Sequence, residues 1–140
     1  MSLPLFMPVT MLTTAILGMI LVGLGAYVIH GRFKHVLAHG DQGNVDMLIR
    51  MRTQSNFIEY VPIALILLAL LESSGADQRI LAFGSIVLVL LRISHIFGMR
   101  QDQPAIFRRI GAMGTFIILI IASIWALFIA IASLIPWSLW

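Results

Sequence analysis

The chain contains no cysteine. It therefore forms no disulfide, no thiolate metal site and no iron–sulfur cluster, and any thiol chemistry must come from a ligand. Charged residues are also scarce: they make up 11% of the 140 residues, against 60% hydrophobic residues and a mean hydropathy of +1.02. This composition excludes an ordinary soluble domain and predicts an integral membrane protein.

Long apolar runs fill most of the chain. A membrane-spanning helix needs about 20 apolar residues. The second run is expected to begin near Asn44 to Asp46, which would provide an N-cap. The pattern predicts an all-α integral membrane protein, a single four-transmembrane-helix bundle over residues 1–140. Its spans are expected at about 9–29, 46–72, 79–99 and 110–135.

Basic residues are concentrated in two of the three connections between these spans. Seven of the nine lie in or beside the first and third connections, namely Arg32, Lys34, Arg50, Arg52, Arg100, Arg108 and Arg109. Because positive residues favour the cytoplasmic side, both connections are predicted to face the cytoplasm and both termini to face outside. Scattered along an apolar chain, these residues form no continuous basic stripe and do not indicate nucleic-acid binding.

Three polar residues lie in the first half of the second span. Arg52, Asn56 and Glu59 are four and three residues apart, which places them on one face of a helix. Taken singly, Arg52 could reach the interface and Asn56 could bond a neighbouring helix. A carboxylate at membrane depth, however, costs about 2.5 to 3.5 kcal/mol on insertion scales and needs a cation or a water-filled cavity. Glu59 is therefore the strongest sign of a functional site.

The third span repeats the pattern with Arg92, His95 and Met99. Arg92 is expected to be the counter-ion of Glu59. A single membrane histidine is more often a packing group than a ligand. The remaining histidines lie in or beside the first connection in no convincing metal-binding pattern, so no metal site is predicted.

Several arginines, one carboxylate and one amide in a cytoplasmic cavity suit a ligand with carboxylates and an amino group. Arginine binds carboxylates bidentately, and Glu59 would bind an ammonium. Glutathione has these groups, together with the thiol that this chain lacks.

The order R-x-x-x-N-x-x-E-Y-x-P, present as Arg52, Asn56, Glu59, Tyr60 and Pro62, resembles the second-helix signature of the MAPEG family. These are membrane-associated proteins in eicosanoid and glutathione metabolism, and the compact chain resembles the family's prokaryotic members. The resemblance implies a homotrimer that holds glutathione between subunits near the cytoplasmic side. It implies a glutathione cradle of Arg52, Asn56, Glu59, Tyr60, Arg92 and His95, joined by Arg32 or Lys34 from a neighbouring chain.

In catalytic members of the family an arginine near the start of the fourth helix stabilises the glutathione thiolate. Here either Arg108 or Arg109 could occupy that position. A free thiol titrates near about 8.5, and an adjacent guanidinium lowers that pKa. The chain departs from the family's well-studied enzymes at Met99, where they carry a tyrosine, and at Ser55, where the prostaglandin enzyme has an arginine.

The leading hypothesis is a glutathione-dependent transferase or peroxidase of the bacterial inner membrane. It would join glutathione, its co-substrate, to a lipophilic electrophile that arrives from the lipid bilayer, and detoxification is favoured over eicosanoid synthesis. The alternative is a non-catalytic glutathione- or lipid-binding scaffold. A small proton-coupled exporter ranks last, because exporters of that class carry their essential glutamate on the first helix and the first span here has no acid.

Overall fold

The computed structural model describes residues 6–100 and 105–135, which form four α-helices. Each helix is long and apolar enough to cross a membrane. This confirms the predicted all-α, four-span membrane architecture. The helices are α1 (Pro8–His35), α2 (Val45–Ser73), α3 (Gln78–Gly98) and α4 (Ile106–Leu134).

The helix ends follow from local sequence. Asn44 is the N-cap of α2, and its side-chain oxygen accepts from the backbone N–H of Met47 at 2.9 Å, as the sequence predicted. Asp77 caps α3 in the same way, with its carboxylate accepting from Arg79 N at 2.8 Å. Pro62 lies inside α2 without ending it.

The first helix is longer than its apolar run. It continues beyond residue 29 through the basic residues to His35. The extension packs on α2 at Gly31, where an added Cβ would lie 2.5 Å from Arg50 Cδ. A glycine at this point lets the arginine side chain lie directly against α1, so the polar end of the helix is held by tertiary contacts.

The bundle consists of two tight helix pairs. α1 packs chiefly on α2 and α3 on α4, while α2 and α3 also contact the other helices. Within the described residues α1 and α4 do not touch, so they lie on opposite sides. One apolar cluster, which includes Leu17, Phe57 and Leu88, fills the centre of the bundle.

Glycines allow α3 and α4 to approach closely. A Cβ at Gly111 would lie 2.6 Å from both His95 Cβ and the Leu91 carbonyl oxygen. A Cβ at Gly98 would collide with the backbone of Phe107 and Arg108. Because α4 can therefore lie against α3, its backbone carbonyls come within reach of α3 side chains.

A carboxylate links two helices at the end of the bundle where α1 begins and α2 ends. Glu72, at the end of α2, accepts from the backbone N–H of Val9 at 3.0 Å and of Thr10 at 2.8 Å. These are among the N–H groups that the first turn of α1 leaves without helical partners, and the helix dipole also favours a negative charge there. Glu72 thereby fastens α1 to α2.

Candidate functional site

A polar pocket of about 500 Å³ opens at the end of the bundle where α2 and α4 begin and α3 ends. It contains three arginines, one carboxylate, one amide and one imidazole. All of these groups were predicted from the sequence as site residues, and both departure positions, Ser55 and Met99, also line the pocket. The lining residues are Arg52, Ser55, Asn56, Glu59, His95, Met99, Arg108, Arg109, Ala112 and Met113.

Glu59 faces this pocket and is exposed. Every salt bridge in the described part of the chain involves Asp46, so no basic nitrogen lies within 4 Å of the Glu59 carboxylate. The expected ion pair between Arg92 and Glu59 is therefore wrong. Glu59 is left with its full capacity to accept hydrogen bonds from a ligand.

Arg92 instead bonds neutral groups of α2 and α4. Its Nη1 donates to Asn56 Oδ1 at 3.1 Å, and its Nη2 donates to the Gly111 carbonyl oxygen at 2.8 Å and to Thr115 Oγ1. The close approach at Gly111 brings the two α4 acceptors within reach of Arg92, which helical spacing within α3 alone does not reveal. Arg92 is only 1% exposed and does not line the pocket; it lies behind Asn56.

The other predicted residues divide between the pocket and its surroundings. His95 is buried, 5% exposed, and forms part of the wall beside α4. Tyr60 is half-buried, and its ring packs edge-on against Phe116 with the centroids 5.1 Å apart. The Tyr60 side chain supports α4 in the single chain and is not part of the pocket lining.

Arg32 and Lys34 lie at the end of α1 and do not line the pocket of their own chain. Arg32 Nη1 donates to the Ala38 carbonyl oxygen at 3.2 Å, and Lys34 Nζ lies 3.7 Å from Asp46 Oδ2. Their expected contribution to the site of a neighbouring chain stays a prediction.

A second polar cluster, which does not line the pocket, was not recognised from the sequence. The Asp46 carboxylate accepts from Arg50 Nε at 3.1 Å and contacts His35 Nε2 at 2.7 Å, with Lys34 at the edge. Arg50 also donates to the Tyr27 carbonyl oxygen at 2.8 Å, and its guanidinium lies 4.0 Å from the Tyr27 ring centroid. This cluster joins α1 to α2, and its charged groups pair with one another.

The charged groups of the pocket, unlike those of the Asp46 cluster, have no ion-pair partner among the described residues. They are therefore available to a ligand. Arg52, Arg108 and Arg109 present guanidinium groups to the same space as Glu59, and Asn56 adds an amide. Such a surface binds carboxylates and one cationic group at once. A ligand of that chemistry would also supply the counter-charges that the pocket lacks.

Sequence reasoning missed Thr115 and Gly111 on α4. Thr115 is fully buried, and its hydroxyl donates to the Gly111 carbonyl oxygen at 2.7 Å. The available signal was weak: Thr115 follows the small residues Gly111, Ala112 and Gly114 in a mostly apolar helix. Glycine and threonine at such positions commonly mark close helix contacts.

Comparison with known proteins supports the family resemblance. The model of the MAPEG family matches residues 5–128. Inner membrane protein YecN of Escherichia coli K12 is 28% identical over 115 residues, covering 80% of this chain and 81% of that protein. The YecN protein of Escherichia coli O6:H1 strain CFT073 matches to the same extent. No solved structure matches the chain.

Proposed function

Because this chain belongs to the MAPEG family, we propose that it is a glutathione-dependent membrane enzyme of the transferase or peroxidase type. It presents the thiolate of glutathione to a lipophilic electrophile that enters from the bilayer. Its relatives named as inner membrane proteins support a location in a bacterial inner membrane.

The observation that carries this proposal is the unpaired carboxylate of Glu59 in a pocket with three arginines. Glutathione carries two carboxylates and one ammonium, so its charges complement this set. Arg52 binds a carboxylate, and Glu59 accepts from the ammonium in charge-assisted hydrogen bonds. Arg52 and Glu59 thus have no competing ion pair within 4 Å among the described residues.

The thiolate requires a further cation. Arg108 and Arg109 both line the pocket at the first turn of α4. A guanidinium beside the sulfur stabilises the thiolate and raises its concentration at neutral pH. The sulfur then attacks the electrophilic atom, the new bond to sulfur forms, and the leaving group departs with the bonding electrons.

An apolar groove provides a place for the electrophile. It has a volume of about 460 Å³ and is lined by α2, α3 and α4. One end lies at Leu91 and Gly114, next in sequence to Arg92 and to the pocket residue Met113. A lipophilic molecule in this groove would have one end close to the polar pocket.

Assembly and orientation are part of the same proposal. The first and third connections face the cytoplasm, where glutathione is available, and both termini face outside. Three chains form a homotrimer, in which Arg32 or Lys34 of one chain joins the pocket of the next. The mass of the purified protein in mild detergent tests the trimer, and a monomer would contradict it.

Titration of glutathione into the purified protein tests the proposed chemistry. The ultraviolet absorbance of the thiolate should rise with saturation at a pH where free glutathione is mostly thiol. Arg108→Ala or Arg109→Ala, but not both equally, should raise the apparent pKa of the bound thiol and slow conjugation. Most of the binding should remain, because the lost contact acts on the reacting sulfur.

Arg79→Ala is the matched control. Arg79 is an exposed arginine at the start of α3, whereas the pocket residue His95 lies near the end of that helix. This variant should leave both binding and thiol pKa unchanged. If the protein binds glutathione but neither pocket substitution changes the thiol pKa, the enzyme mechanism fails.

Met99 favours a second function. It lines the pocket at the position where the family's well-studied enzymes carry a tyrosine. A non-catalytic scaffold would use the same pocket to bind glutathione or a lipid headgroup without activating a thiol. Binding of glutathione with no thiolate absorbance would support that function instead.

A further inference from the structure

Among the described residues, only neutral groups bond the buried guanidinium of Arg92. Its three acceptors are Asn56 Oδ1, the Gly111 carbonyl oxygen and Thr115 Oγ1, and its Nε has no partner in this part of the chain. No carboxylate of the described residues lies within 4 Å of it. Burying a charge without a counter-ion is costly, so this arrangement points to a role beyond holding the helices together.

The contact with Asn56 determines which end of that amide faces the pocket. Arginine is a donor only, so it can engage the amide solely through the carbonyl oxygen. Asn56 makes no other side-chain hydrogen bond among the described residues, and it lines the pocket. Its NH₂ group is therefore the part left for a ligand, and the cation behind the oxygen polarises it as a donor.

Thr115 sets the position of Arg92 in turn. The Thr115 hydroxyl donates to the Gly111 carbonyl oxygen, which fixes its lone pairs towards Arg92 Nη2. Thr115 is completely buried and does not line the pocket. Its hydrogen bond to Arg92 links it to Asn56 and so to the ligand site.

We infer that Thr115 is a positioning residue for the ligand site, acting through Arg92 to hold Asn56 with its NH₂ group towards the pocket. Asn56 consequently selects a hydrogen-bond acceptor, such as a carboxylate or peptide carbonyl of the ligand. A reversed amide would present its oxygen and repel such a group. This inference rests on the proposed function, since glutathione is the ligand in question.

Two substitutions of Thr115 isolate the hydroxyl. Thr115→Val keeps the shape and removes the hydroxyl, while Thr115→Ser keeps the hydroxyl and removes a methyl group. Calorimetric titration should show about three- to tenfold weaker glutathione binding for the valine variant, the usual effect of one hydrogen bond. The serine variant should remain within about twofold of the wild type. Equal losses in both variants would mean that the site depends on packing alone, and would overturn the inference.

A double-mutant cycle with Asn56→Ala tests whether Thr115 acts on the ligand through Asn56. If Thr115 acts through Asn56, Thr115→Val should have almost no further effect on glutathione affinity once Asn56 is alanine. Multiplicative losses in the double variant would overturn the inference, while leaving the proposed function intact because the wild type still binds glutathione.

The same variants, measured without ligand, separate this inference from the proposed function. If the wild-type protein does not bind glutathione, the proposed function fails, but the network remains testable through the unfolding equilibrium in detergent. Thr115→Val and Asn56→Ala should then be non-additive in stability, since both contact Arg92. Additive losses would show that the two residues are not coupled through Arg92.

Discussion

Helix α2 carries three carboxylates, one near each end and one in the middle, and their surroundings differ. At one end Asp46 contacts Arg50 and His35, with Lys34 at 3.7 Å. At the other end Glu72 accepts two backbone N–H groups of α1. Glu59, in the middle, faces the pocket and has no basic nitrogen within 4 Å among the described residues.

Under the proposed function, this difference separates structural acids from a ligand-binding acid on a single membrane helix. Asp46 and Glu72 are satisfied by their own chain, and each connects α1 to α2. Their removal should therefore change stability. Glu59 makes no such connection, so its removal should change ligand binding. Acidic residues at membrane depth are costly, and the partners of each carboxylate indicate its role.

Glu72→Leu should cause the largest loss of stability. The substitution leaves the partly buried N–H groups of Val9 and Thr10 without an acceptor, which costs about 2 to 3 kcal/mol of unfolding free energy. A titration with denaturing detergent measures this quantity. Ser73→Ala, at an exposed neighbouring position on the same helix end, should remain within about 0.5 kcal/mol of the wild type. Equal stability of the two variants would show that Glu72 does not fasten α1.

Asp46→Asn should have a smaller effect. The amide preserves the shape but loses the charge that holds Arg50 and His35, and the Asp46 side chain is 38% exposed, so solvent screens the interaction. We expect a loss of about 1 kcal/mol, measured in the same titration and diminished by added salt. A loss as large as that of Glu72→Leu would mean that the cluster is less screened than its exposure indicates.

Lys34→Ala should have the smallest effect. The ammonium is 3.7 Å from Asp46 and the lysine side chain is 56% exposed. Exposed pairs of this kind contribute about 0 to 0.5 kcal/mol. If Lys34 joins the pocket of a neighbouring chain, the same variant should instead weaken glutathione binding in the trimer. Unchanged stability and unchanged affinity would leave Arg32 as the candidate from the neighbouring chain.

Much of the fold and part of the site follow from the sequence. Apolar runs of span length predicted the four helices, and Asn44 marked the start of α2. The spacing of Arg52, Asn56 and Glu59 predicted one shared face, and all three residues line the pocket. These features depend on a single helix, for which periodicity is informative.

The remaining features depend on how the helices are rotated against one another. The spacing of Arg92 indicated a polar face on α3 but did not reveal that this face meets α4 at Gly111 and Thr115. For the same reason the sequence does not reveal that Glu72, at the end of the second span, contacts α1. A carboxylate and a cation at similar depth form an ion pair only if the rotation of each helix about its axis brings the two side chains together.

Calorimetric titration of glutathione into the wild-type protein, Glu59→Gln and Asp46→Asn tests the separation of roles most directly. Loss of a charge-assisted hydrogen bond to the ligand ammonium should weaken binding by Glu59→Gln about tenfold or more. Its ligand-free unfolding free energy should stay within about 0.5 kcal/mol of the wild type. Asp46→Asn should show the reverse, with lower stability and unchanged affinity. Unaltered glutathione affinity in Glu59→Gln, or a loss of ligand-free stability comparable to that of Asp46→Asn, would contradict the assignment of Glu59 to the ligand.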